Sequence, residues 1–150
     1  MLFKYALDQF LIQRIDELPE QIIELSLVSQ NEGFRFINRL IDEYQSGQNC
    51  FDQEGEALYS MQYANQLIAI GGINTTLNKD MGRLRRFYVH PEYRRHGMGE
   101  LLLRAIEEHA KKYFNEIVLY TDTHRAAAFY KKMGYSETNI PNSNFSKRMK

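Results

Sequence analysis

The stretch Phe87-Tyr88-Val89-His90-Pro91-Glu92-Tyr93-Arg94-Arg95-His96-Gly97-Met98-Gly99-Glu100-Leu101 constrains this chain more than any other. An apolar run ends at Val89, a basic loop with two glycines follows, and helical spacing begins at Met98. Gly97 and Gly99 lack Cβ atoms, so main-chain N–H groups can close around a phosphate there. The same N–H groups are the unpaired donors of a helix N-terminus, where the dipole favours negative charge. Arg94, Arg95 and His96 add attraction at longer range. The chemistry wanted at this turn is a diphosphate.

Two familiar phosphate loops do not fit. A nucleotide-triphosphate loop needs Gly-Lys-Ser/Thr, and here Gly99 is followed by Glu100-Leu101. A dinucleotide fingerprint needs a third glycine where Leu102 stands, and an early strand–helix–strand position that this segment lacks.

The rest of the chain supplies the frame. Phe10–Ile15 reads as a first strand, and a helix begins at Leu18-Pro19-Glu20, with apolar positions at Ile22, Ile23, Leu25, Leu27 and Val28. Gly33 interrupts, and Phe34, Ile37, Leu40, Ile41 and Tyr44 mark a second helical segment. Residues 56–63 form a strand with Ala57, Tyr59, Met61 and Tyr63 on one face, turning at Asn65-Gln66 into Leu67–Ile70. A run over 82–89 leads to the glycine loop. A helix over 98–113 carries a core stripe of Leu101, Leu102, Ala105, Ile106 and His109 or Ala110. Ile117–Tyr120 is a buried strand, and Ala126–Met133 a last helix stopped by Gly134. The tail holds one or two edge strands. This order predicts a mixed α/β sheet, mostly antiparallel and twisted, with helices on both faces.

Composition narrows the setting. One hundred and fifty residues suit a single domain over 1–150, with 43% hydrophobic and 25% charged residues. Net charge is zero, yet residues 1–80 hold 5 basic against 12 acidic groups and residues 81–150 hold 14 against 7. Such a split predicts a basic face turned to an anion. It gives no overall basicity for nucleic acid, and the nucleic-acid signatures are missing. Cys50 is the only cysteine, so no intrachain disulfide forms and a reducing, cytoplasmic location is expected. No apolar stretch is long enough to span a bilayer, so no membrane partner is expected. The histidines at 90, 96, 109 and 124 lack metal-site spacing, so no metal is expected.

The pattern R-x-x-G-x-G on Arg94, Gly97 and Gly99, after a Tyr-Val-His-Pro strand end, resembles the coenzyme-A loop of the GNAT N-acetyltransferase family. Ala126-Ala127-Ala128-Phe129-Tyr130-Lys131-Lys132-Met133-Gly134-Tyr135 is similar to the family's A-x-x-x-Y-x-x-x-G-F/Y helix. The likeness is strong over about 82–136. It implies a GNAT fold with splayed fourth and fifth strands, residues 1–80 forming the acceptor-side half, 81–136 the acetyl-CoA-binding core and 137–150 the C-terminal strands.

It further implies an enzyme that moves the acetyl group of acetyl-CoA to a primary amine by direct attack in a ternary complex. Main chain at Phe87, Tyr88 and Val89 would meet pantetheine, the Val89 N–H stabilising the oxyanion. Arg94, Arg95, His96, Gly97, Met98, Gly99 and Glu100 would hold the pyrophosphate. Tyr130 would protonate the departing thiolate, or pack with its hydroxyl on coenzyme A. Thr123 stands where many members have Asn, and Arg83 where some have a basic glutamate. The base candidates left are Glu56, His90, Asp122 and His124. Glu32, Asp42, Glu43, Asp52, Glu54 and Glu56 lean the acceptor toward a small cationic amine. Tyr44, Phe51, Tyr59 and Tyr63 are read as core, or as an apolar wall beside it. Protein amino groups, a non-catalytic acyl-CoA-binding module and a homodimer paired through the C-terminal strands stay open.

Overall fold

The computed structural model describes residues 9–149. In chain order they form β1 (Phe10–Ile15), α1 (Ile22–Asn31), α2 (Phe36–Ser46), β2 (Ala57–Tyr63), β3 (Gln66–Thr75), β4 (Met81–Val89), a 3-10 turn (Pro91–Tyr93), α3 (Met98–Ala110), β5 (Glu116–Leu119), α4 (His124–Lys132), β6 (Ser136–Glu137) and β7 (Phe145–Arg148). One seven-stranded sheet runs β1-β2-β3-β4-β5-β7-β6. Every neighbouring pair is antiparallel except β4 and β5, which α3 joins as a parallel crossover.

Alternation along the strands builds two cores. On one face Ala57, Met61, Ile68, Ile73 and Leu84 pack with Met98, Leu102, Leu103 and Ile106 of α3 and with Tyr130 of α4. On the other, Leu58, Leu67, Ile70 and Tyr88 pack with Ile22 and Leu25 of α1 and Ile37 and Leu40 of α2. Helices thus cover both faces, as the element order predicts.

Several details differ from the sequence reading for local reasons. The hairpin turns on Ala64-Asn65, whose φ of +48° and +70° give the left-handed pair that twisted hairpins favour, one residue earlier than expected. The start of α1 slips to Ile22, and Gln21 takes a tertiary job: its Oε1 accepts from the Leu67 N–H at 2.7 Å and its Nε2 donates to the Asn65 carbonyl. The α3 stripe is Met98, Leu102, Leu103, Ile106 and Ala110, leaving Leu101 exposed. Tyr59 and Tyr63 lie against the α3 core while Phe51 and Tyr44 lie with α2, so the four aromatics form no single wall. The C-terminal strands pair within the chain, β7 beside β5 and β6 beside β7. No helix among the described residues is long and apolar enough to cross a membrane.

Gly71-Gly72 sits mid-strand in β3, where glycine is otherwise unfavourable. A Cβ on Gly72 would lie 2.5 Å from the Phe51 ring, and one on Gly71 would lie 2.8 Å from the Phe87 ring. The two missing side chains let one aromatic pack on each face.

Candidate active site

β4 and β5 stay paired only over Met81↔Glu116, Gly82↔Ile117 and Arg83↔Val118. β4 continues to Val89 without that neighbour, so the strands part beyond Arg83 and leave a V-shaped gap. Its apex is the Arg83–Val118 pair. The expected splay is present.

A bulge prepares the open edge of β4. The β3 register jumps from Ile70↔Tyr88 to Gly72↔Arg85, with Arg86 at φ +60° as the extra residue. Beyond it the His90 N–H donates to the Ile68 carbonyl at 2.7 Å. Alternation in an antiparallel pair then turns Tyr88 main chain inward to Ile70 and Val89 outward to the gap. Val89 main chain therefore faces the gap. Tyr88 main chain faces β3, and its ring is buried against Phe34 and Phe36 on the α1–α2 face.

The glycine loop follows. Gly97, at φ +84°, is the N-cap of α3, and no side chain caps the first turn of that 13-residue helix. A Cβ on Gly97 would meet nothing within 4 Å, and one on Gly99 would make only ordinary 3.5 Å contacts with Phe129 and Val89. The space over the uncapped N–H groups is thus open, and the left-handed φ rather than crowding is what calls for glycine at 97. Arg95 is exposed with φ +67°. Met98 is fully buried, and Glu100 lies 3.6 Å from Arg104. His90 Nδ1 accepts from the Glu92 N–H, closing the 3-10 turn.

Arg94 is held by a partner that the sequence did not suggest. Its Nη1 and Nη2 donate to the two carboxylate oxygens of Glu32, each at 2.7 Å, and its Nε donates to the Val89 carbonyl at 3.0 Å. Glu32, just past α1, also accepts from the Tyr88 hydroxyl and lies 3.9 Å from Arg125 of α4. The Arg94 guanidinium holds the Glu32 carboxyl below its ordinary range, against the opposing effect of burial. One carboxylate therefore ties the α1–α2 connection to the glycine loop and the start of α4. Arg94, expected on the pyrophosphate, is committed to this clamp.

Tyr130 is buried against Phe87, Phe129 and Tyr135, with centroids 6.2, 5.2 and 5.6 Å away. Burial pushes its phenol well above the ordinary range, so it stays protonated. Among the described residues its hydroxyl makes no hydrogen bond. Thr123 Oγ1 accepts from the Ala126 N–H at 3.1 Å, capping α4 and leaving its own proton to donate.

The base candidates do not converge. Glu56 is buried, its carboxylate taken by the Gln53 and Thr75 N–H groups, Asn74 Nδ2 and Thr75 Oγ1. It lies beside the start of β4, about 20 Å of strand from Val89. Asp122 and His124 are exposed, and His90 serves its turn. Nor do the six acidic residues gather at the gap: Glu32 is paired with Arg94, Glu43 with Arg86 and Glu56 as above, while Asp42, Asp52 and Glu54 face outward. Among the described residues no three His, Cys, Asp or Glu side chains group as metal ligands.

Comparison with known proteins agrees with this geometry. The acetyltransferase (GNAT) domain family matches residues 54–137. A crystal structure from Exiguobacterium sp. 255-15, given as an acetyltransferase, superposes with a TM-score of 0.82 at 27% identity, covering 93% of each chain. An acetyltransferase from Streptococcus agalactiae 2603 gives 0.76 at 16% identity over 93% of this chain and 98% of its own. A GNAT-family acetyltransferase from Staphylococcus aureus Mu50 gives 0.68 at 19% over 93% and 100%, the last two showing the fold alone. No curated protein matches the chain. A domain family matched over more than half its length, with the splayed strands and glycine loop in place, identifies this chain as a member of the GNAT acetyltransferase family.

Proposed function

We propose that this protein is an acetyl-CoA-dependent N-acetyltransferase that acylates a primary amine. The observation that carries the reading is the gap beyond Arg83, edged by outward-facing Val89 main chain and opening onto the uncapped N-terminus of α3. Such a slot accepts an extended amide-bearing arm as a strand accepts its neighbour, while the α3 N–H groups accept a diphosphate. Gly97, Gly99 and the main chain of Arg95, His96, Met98 and Glu100 would hold the diphosphate. Phe87 and Val89 would line the arm, with Thr123 at the far side.

Acetyl-CoA supplies an activated thioester, whose carbonyl carbon takes the amine nitrogen as its C–S bond breaks. The Val89 N–H faces the developing oxyanion, and a fixed donor there needs no reorganisation. Tyr130, kept protonated by its burial, gives its proton to the leaving sulfur, and the proton lost by the amine restores the phenol through solvent. No side chain of this chain is assigned as general base, so the amine enters neutral. Glu32 and Glu43 are paired with Arg94 and Arg86, which takes two of the six carboxylates from the argument for a small cationic amine.

The test is calorimetric titration with acetyl-CoA, repeated on Gly97→Glu after its melting curve is recorded. Wild-type affinity near micromolar, about −8 kcal/mol, lost in a folded variant supports the site. Wild-type protein that does not bind acetyl-CoA overturns it. Acceptor-dependent thiol release then separates an enzyme from a non-catalytic binding module.

A further inference from the structure

The peptide that carries the Val89 N–H is held on both sides. On one side Tyr88 pairs its main chain with Ile70, and its buried ring donates its hydroxyl to Glu32. On the other side stands the Val89 carbonyl, which points toward the gap as the N–H of the same residue does. β5 has parted from β4 well before this point, so no strand takes that carbonyl. Arg94 takes it instead, through Nε at 3.0 Å.

Arg94 reaches back because the Pro91–Tyr93 turn reverses the chain. The Tyr93 N–H donates to the His90 carbonyl at 2.9 Å, and the Arg94 N–H to the Pro91 carbonyl at 3.3 Å. The guanidinium then lies 5.3 Å from the centre of the Tyr88 ring, with both Nη atoms on the Glu32 carboxylate. A two-bond fork of this kind fixes the plane of the guanidinium as well as its distance. Glu32 is itself well anchored. It ends α1 with its N–H on the Ser29 carbonyl, and Gly33 at φ +89° turns the chain so that the Phe34 N–H returns to Ser29. Glu32, Arg94 and Tyr88 thus close a ring around residues 88 and 89.

Charge points the same way. Arg94 stands three residues before Gly97, and its guanidinium would suit a diphosphate held there. Glu32 neutralises it, so the pair gives up attraction for that ligand. What it secures is the aim of a main-chain donor, and such a donor stabilises an oxyanion only as far as it is aimed before the reaction. We propose that Glu32 and Arg94 are positioning residues for acetyl transfer, holding residue 89 so that its N–H meets the thioester oxygen. This rests on the reading of Val89 as the oxyanion donor. Neither side chain touches the reacting atoms.

Infrared difference spectra of acetyl-CoA, isotope-labelled at the thioester carbonyl, read that hydrogen bond without any acceptor. Bound to the full wild-type chain, the labelled band is expected below its free-ligand frequency. Glu32→Gln should move the band back toward the free value. Calorimetric affinity for acetyl-CoA should meanwhile hold or rise, because a negative charge beside the diphosphate turn is lost. Arg94→Lys should move the band likewise, since one ammonium cannot fork Glu32 and hold the Val89 carbonyl together. If Glu32→Gln does not fold, Arg94→Lys decides alone. An unchanged band in either folded variant overturns the proposal and leaves Val89 as the donor. A band that reverts in Glu32→Gln only with a loss of acetyl-CoA affinity overturns it too, since the clamp then merely supports the loop. A wild-type band at the free-ligand frequency is a different failure: Val89 is then no donor, and the proposal falls with that reading. Wild-type protein that binds no acetyl-CoA takes the whole donor site with it.

Discussion

Tyr130 and Glu32 show how one side chain is given a task by what surrounds it. Tyr130 packs against three aromatic rings, and burial holds its phenol above the ordinary range, so it keeps its proton. Tyr130→Phe should lower kcat by about 100-fold with acetyl-CoA affinity unchanged, because the ring stays and only the donor is lost. A kcat equal to wild type would leave Tyr130 a packing residue. Glu32 is stabilised as the carboxylate by Arg94, so its folded pKa lies below the ordinary 4.5. Its contribution to stability is complete above that value and is lost as pH falls through the lowered one. Glu32→Gln should therefore flatten the acid side of the melting temperature against pH, and a profile still parallel to wild type below pH 5 would contradict the clamp.

At the scale of elements, the site depends on two strands that stop pairing and one helix left uncapped. The bulge at Arg86 lies on the outer half of β4, beyond its last pair with β5, and the glycines of β3 give room to the rings beside it. A Cβ on Gly72 collides with the Phe51 ring at 2.5 Å, whereas one on Gly99 finds ordinary contacts at 3.5 Å. Gly72→Ala should thus cost about 1–3 kcal/mol of stability, a drop of about 2–4 °C in Tm for each kcal/mol, with no direct effect on the glycine loop. Gly99→Ala should leave Tm near wild type and weaken acetyl-CoA binding, since the added methyl stands where the ligand approaches. Thermal melts beside calorimetry on the two variants separate packing from recognition; a reversal of the two patterns would refute this division.

Over the whole molecule, charge is partitioned by sequence half. The excess of basic residues after position 80 surrounds the glycine loop, α4 and the apex of the gap, while much of the acidic excess before it is spent on internal pairs or turned outward. A polyanionic donor should feel that field at long range. Raising ionic strength from about 0.02 to 0.5 M should weaken acetyl-CoA binding severalfold, because the Debye length shrinks from well above to below the spacing of these charges. Affinity indifferent to salt would mean that local main-chain donors do all the holding.

The order of elements, the helices on both faces and the loop from His90 to Gly99 are local facts, set by hydrophobic periodicity and by glycine placement, and each is legible in the linear chain. So is Val89 as the last residue of its strand. The sequence by itself therefore determined the fold class, the family and the donor-side turn. What only the tertiary structure decided are the pairings between distant segments. Glu32 meets Arg94 across 62 positions, and Arg86 meets Glu43 across 43. The bulge at Arg86 depends on the register of β3 against β4. A carboxylate counted as a candidate for the acceptor in one dimension is already neutralised in three, because ion pairs form by proximity in space and burial penalises any charge left without a partner.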